Sequence, residues 1–222
     1  MLYIVATPIG NLEDITLRAI RTLKEVDLIL CEDSRVTRKL LDRYEIKTPY
    51  SVFHANTAPK KIEEFLTVLE NGKNIALVTD AGTPGISDPG VLLVMKIKEK
   101  FGDQIKVVPI PGASALTAAV SVSGVPMHEF LYVGFLPQKK GREKLIQEIA
   151  DNRRAVVLFE SPHRVAKLME SLDKAGVSEV VISREITKIY EEIFSDTPKA
   201  LSQRYTKTPP KGEFVVIVRP RK

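Results

Sequence analysis

The chain has 222 residues, 44% hydrophobic and 27% charged, an ordinary globular composition that can bury a substantial core in one large or two modest domains. No apolar run reaches the roughly 20 residues of a membrane span, so no membrane partner is expected. Cys31 is the single cysteine, which excludes an internal disulfide or a cysteine zinc cluster and fits a cytoplasmic protein, while the formal charge of +5 permits an anionic partner without requiring one.

In chain order, MLYIVATPIG lacks the basic region and long apolar core of a secretory signal and reads as a first strand over residues 2–6. Further apolar runs predict strands over 28–31, 75–79, 105–110, 130–135, 155–159, 179–183 and 214–218, with residues 188–196 as an added antiparallel strand. Between them, Ile62, Phe65, Leu66 and Leu69 keep the spacing of an amphipathic helix, and Val165, Leu168, Met169 and Leu172 repeat it. Gly72 and Gly176 supply stop chemistry, and Ser161-Pro162 a start for the second. This alternation predicts an α/β fold with largely parallel sheets, and a domain boundary near Pro111-Gly112.

Polar or acidic groups follow several apolar runs: Thr7, Glu32 and Asp33, Asp80, Glu160 and, soon after the seventh, Glu185. Taken singly, Asp33, Asp88 and Ser161 read as helix caps. Taken together, the strand-end groups predict a shared pocket on one sheet edge. The densest candidate is LVTDAGTPGISDPG, residues 77–90, where Gly82-Thr83-Pro84 has no capping role and lets main chain approach a ligand closely. Pro111-Gly112-Ala113-Ser114-Ala115 is a second such turn, for which tight helix–sheet packing is an equal reading. No phosphate loop, dinucleotide fingerprint or nucleophile elbow is present. His54, His128 and His163 lack metal-ligand spacing. His163, Arg164 and Arg35 sit in first helical turns, where a cation opposes the helix dipole unless a carboxylate or an anionic ligand offsets it.

Seven segments then occur in order: TPIGNLEDITLRA, EDSRVTRKLL, VTDAGTPGISDPG, PIPGASAL, GFLP, FESPHR and KGEFV. Together they resemble, over essentially the whole chain, the bacterial small-subunit ribosomal RNA cytidine-2'-O-methyltransferases, a branch of the tetrapyrrole methylase superfamily. Members commonly continue into a short extension after KGEFV, whereas this sequence ends at Lys222.

The resemblance implies two α/β domains, 1–111 and 112–222, with S-adenosylmethionine in the cleft between them. It also implies a homodimer acting on the ribose of a cytidine in the decoding region of small-subunit (16S) ribosomal RNA, within an assembled small subunit. Matched by motif, Gly82, Thr83, Ile86 and Ser87 form the cofactor loop, with Thr83 in place of the usual aspartate. Ser114 and Ala115 form the second cofactor turn, Phe159 and Glu160 line the adenosine side, and Pro8 lies in the N-terminal loop. Asp80 is then the first candidate proton acceptor and Glu160 the second. Arg35, Arg38, Lys39, His163 and Arg164 are the candidate RNA contacts. The rival readings are another methylase of the superfamily, a metal-dependent hydrolase using the strand-end carboxylates, and a non-catalytic RNA-binding module.

Overall fold

A computed structural model describes residues 1–221. The chain divides into two compact units, the first ending at Ser114 and the second beginning at Ala115, three residues beyond the expected junction.

The first unit runs β1 (Leu2–Val5), α1 (Leu17–Glu25), β2 (Leu28–Cys31), α2 (Ser34–Arg43), β3 (Tyr50–Val52), α3 (Pro59–Glu70), β4 (Ile75–Leu77), α4 (Gly90–Phe101) and β5 (Val107–Ile110). Its sheet is wholly parallel, in the order β3-β2-β4-β1-β5. The central strands are short and apolar because helices cover both faces. On one face Leu23 of α1 and Leu40 of α2 pack with Val5, Ile29 and Ala76. On the other, Leu66 and Leu69 of α3 and Leu93 and Ile97 of α4 pack with Leu2, Leu30 and Ile75. The connections leaving β1 and β4 run in opposite directions across the sheet, so right-handed crossovers send them to opposite faces. These strands are neighbours, so the carboxyl edge between them is the topological switch point where open α/β sheets form their ligand crevice. Strand β3 was not expected: it is three residues long, at the sheet edge, and has no apolar run to announce it.

The second unit runs α5 (Ala115–Val122), β6 (Phe130–Phe135), α6 (Arg142–Ala150), β7 (Ala155–Glu160), α7 (Val165–Lys174), β8 (Val180–Arg184), β9 (Glu192–Asp196), α8 (Pro198–Lys207) and β10 (Phe214–Val218). The order is β6-β7-β10-β8-β9, with β6 and β7 parallel and every other pairing antiparallel. Strands β6, β7 and β8 therefore point the same way and end on one edge. Helices α6, α7 and α8 cover one face through Ile146, Leu168 and Leu201, and α5 covers the other through Ala119.

Two helix starts differ from expectation. Helix α7 begins at Val165 with Arg164 at its cap, and Ser161 makes no side-chain cap. Residues 161–164 instead form a turn in which the Ser161 carbonyl accepts from the amides of Arg164 and Val165. Helix α4 begins at Gly90, where the Asp88 carboxylate accepts the Gly90 amide at 2.7 Å and the Gly85 amide at 2.9 Å. Asp88, expected as the cap, stands one residue ahead of the capping position, which Pro89 fills, and its carboxylate closes the preceding loop.

Candidate functional site

At the carboxyl edge of the first sheet, four loops are stitched together. Thr7 and Gly82 exchange two backbone hydrogen bonds, of 2.9 and 3.0 Å, as an isolated antiparallel bridge. The Thr7 hydroxyl donates to the Thr79 carbonyl at 3.0 Å. The Thr83 hydroxyl donates to the Ala113 carbonyl at 3.2 Å. The Asp33 amide donates to Asp80 Oδ1 at 2.9 Å, and the Thr79 hydroxyl to Glu32 Oε2 at 3.2 Å. The loops after β1, β2, β4 and β5 are consequently tied into one hydrogen-bonded assembly, with Pro8 buried beside the bridge.

Gly82 sits where three of these loops meet. Its φ is +84°, and a Cβ there would stand 3.4 Å from Ile9 and 3.7 Å from the Ala113 carbonyl. Beyond it, Gly85, Ile86 and Ser87 form an exposed bend in which Ser87 adopts a φ of +55°, uncommon for a residue with a side chain. The expected turn at 111–115 also lies here: a Cβ on Gly112 would come within 3.1 Å of Ala6, so close packing of the β1 and β5 loops explains that glycine.

The electrostatics of this edge are acidic. Burial pushes the Asp80 carboxyl above its ordinary range, with the charges of Asp33 and Asp88 adding to the shift. Burial, then the Asp80 charge, does the same to Glu32. Asp33 behaves oppositely, held down at about 2 by the Arg35 guanidinium 2.5 Å away and by the Arg35 amide. Carbonyls, hydroxyls and carboxylates dominate the groups on offer, a set that suits a cationic ligand better than a phosphate.

The strand-end groups do not share a single edge. Thr7, Glu32, Asp33 and Asp80 belong to the first sheet, whereas Glu160 and Glu185 end strands of the second. Glu160 is 1% exposed and fully engaged. It accepts from Arg164 Nε at 2.7 Å, from the Ser161 amide at 2.8 Å and from Arg142 Nη2 at 3.5 Å. Glu160, the second expected proton acceptor, is thus held by two guanidiniums and a backbone amide. Arg164, one of the expected RNA contacts, places its guanidinium on Glu160. Next to Glu160, Phe159 meets Tyr132 and Phe135 edge to face at 5.3 and 5.6 Å.

Of the other expected RNA contacts, Arg35, Arg38 and Lys39 lie exposed along α2, and His163 is exposed ahead of α7. Arg35 and Arg38 already face Asp33 and Asp42, so the carboxylate explanation for a cation in the first turn of α2 applies. Sequence reasoning missed Thr79 and the role of Arg142. The second had a faint signal, an arginine opening a helix where the dipole disfavours it. Among the described residues no three His, Cys, Asp or Glu side chains are grouped to hold a metal ion, and no helix is long and apolar enough to cross a membrane.

Residues 1–201 match the family of tetrapyrrole (corrin/porphyrin) methylases. The chain is 46% identical over 218 residues to the ribosomal RNA small subunit methyltransferase I of Thermotoga maritima, covering 98% of this chain and 97% of that one. It is also 46% identical to the protein of that name from Borrelia garinii, with 98% of each covered. The Synechocystis protein of that name is 43% identical, with 98% of this chain and 78% of that one covered. Among solved structures, cobalt precorrin-4 methyltransferase superposes with a TM-score of 0.72 at 18% identity, covering 98% of this chain and 94% of that one. Diphthine synthase gives 0.72 at 15% identity, with 98% and 89% covered. At such identities these structures bear on the fold alone. The chain belongs to the tetrapyrrole methylase family, in the branch of the small-subunit ribosomal RNA methyltransferases.

Proposed function

We propose that this protein uses S-adenosylmethionine to methylate the ribose 2'-oxygen of a cytidine in the decoding region of small-subunit ribosomal RNA. The observation that carries this reading is the 46% identity, over nearly the full length of both chains, to a protein named for methylating that RNA. The active form is a cytoplasmic homodimer, and the substrate is the RNA within an assembled small subunit.

The first unit's loop edge fits the methyl donor. S-adenosylmethionine carries a sulfonium charge and no phosphate, and the crevice offers carbonyls, hydroxyls and carboxylates while Glu32, Asp80 and Asp88 repel a nucleotide phosphate. Pro8, Gly82, Thr83, Ile86, Ser87 and Ser114 are the residues proposed to hold it. When bound, it supplies a methyl group already activated by the positive sulfur. The protein's task is then to align the ribose oxygen and dispose of its proton, and alignment alone contributes several kcal/mol, within the ~7–11 kcal/mol measured for well-oriented reactions. The stitched loops supply that rigidity. Asp80 takes the proton, because its carboxyl is desolvated and is oriented by the Asp33 amide.

The test is transfer of labelled methyl from the donor to naked RNA, isolated small subunits and whole ribosomes, followed by mapping of the label. Label on a cytidine ribose of the small-subunit RNA is expected. Label only on a tetrapyrrole or a protein side chain would move the chain to another branch of the family. Metal-dependent hydrolysis without a methyl donor would favour the hydrolase.

A further inference from the structure

The loop between β6 and α6 carries charge that the fold leaves unused. Lys139 and Lys140 are exposed, and neither has a partner among the described residues. Arg35, Arg38 and Arg164 differ, since each is paired with a carboxylate. Just ahead of the two lysines, the register of β6 against β7 shifts between Tyr132 and Gly134, where Gly134 adopts a φ of +63°. A bulge of this kind re-aims the side chains that follow it. The next residue, Phe135, is 53% exposed, and its edge-to-face contact with Phe159 fixes the ring's orientation.

The same loop is held from beneath. Arg164 Nη1 donates to the Leu136 carbonyl at 3.2 Å, and Arg142 Nη1 to the Pro137 carbonyl at 3.3 Å. Both guanidiniums are in turn anchored on the buried Glu160 carboxylate. One carboxylate and two planar donors thus fix the loop that presents an aromatic ring and two free ammonium groups.

We propose that residues 135–140 are a docking element for single-stranded RNA, resting on the ribosomal RNA reading above. Phe135 stacks on an unpaired base, and Lys139 and Lys140 neutralise adjacent phosphates. Arg142, Arg164 and Glu160 are positioning residues that keep the ring and the charges in register. An exposed aromatic beside free cations selects a single strand, because a paired base keeps its faces inside the duplex.

The test measures binding of a cytidine-rich single-stranded RNA 12-mer and of the matching duplex, together with methyl transfer to small subunits. Phe135→Ala is expected to raise the single-strand Kd about tenfold with little change for the duplex. Lys139→Ala with Lys140→Ala is expected to flatten the single-strand salt slope by about 1.4, from roughly 0.7 per phosphate. Arg142→Lys preserves the charge but loses the fork that joins the Pro137 carbonyl to Glu160, so KM rises while kcat and the salt slope hold. Lys174→Ala, which removes an exposed lysine paired with Glu170, serves as the control for loss of charge alone. Unmoved affinity and slope in variants of a chain that methylates small-subunit RNA would overturn the docking element and leave the reaction standing. A wild-type chain that transfers no methyl group to that RNA would sink the reading itself, and the docking element with it.

Discussion

Asp80 and Glu160 occupy matching places in the two units, each at the end of an apolar run that leads into a helical connection, yet their surroundings are opposite. Asp80 is half-buried among other carboxylates and receives a single backbone amide. Glu160 is wholly buried and grips two arginines. The first arrangement raises a carboxyl's proton affinity, and the second turns a carboxylate into a structural clamp. A strand-end acid is therefore not a role: the charges that tertiary packing brings around it assign one.

The largest expected effect separates the two directly. Asp80→Asn should bind the methyl donor normally in calorimetry while turnover falls by roughly 10²–10⁴-fold, the usual contribution of a positioned base. Full turnover would remove Asp80 from the chemistry. Glu160→Ala should instead act on stability, costing about 3–5 kcal/mol in urea denaturation, because it leaves two guanidiniums without their shared counter-charge. A loss below about 1 kcal/mol would place that cluster with ordinary surface pairs.

Backbone geometry gives a subtler contrast. Gly82→Ala and Gly176→Ala both force a side chain into the left-handed region, at φ of +84° and +81°, for about 1–2 kcal/mol each. Only Gly82→Ala should also weaken donor binding, since Gly176 has nothing within 4 Å and merely ends a helix. Equal loss of donor binding in both variants would detach the Gly82 turn from the ligand.

The smallest effect is the pH dependence. A carboxyl whose folded pKa is raised holds its proton more tightly when folded, so stability declines as pH rises from the ordinary Asp value of 3.8 toward the raised one. Glu32 adds to that decline starting from 4.5. Asp33, lowered to about 2, does the reverse: its contribution is present above 3.8 and is lost as pH falls toward 2. Asp80→Asn should flatten the decline on the rising-pH side and leave the acid side unchanged, as followed by thermal melts across this range.

Much of the architecture was legible along the chain. All eight strands announced by apolar runs are present within a few residues of their expected ends, and the central ones are nearly continuous in apolar side chains because both their faces are buried. The edge strand β3 escaped notice because an edge position needs no such run. The start of α7 was misjudged because Ser161 and Pro162 have the right chemistry for a cap, while the pull of Arg164 onto Glu160 accompanies a turn instead. The Gly82 loop stood out from composition alone, and the bridge to Thr7 and the tie from Thr83 to Ala113 now explain its glycine and threonine.

Local pattern determined which residues are strands and which glycines punctuate them, since periodicity and backbone restriction act over a few neighbours. Tertiary structure alone decided which carboxylate is desolvated, which is neutralised and which cations remain free. Those outcomes depend on charges brought together from distant parts of the chain, Asp33 with Asp80 and Arg142 with Glu160, and no reading of consecutive residues contains those distances.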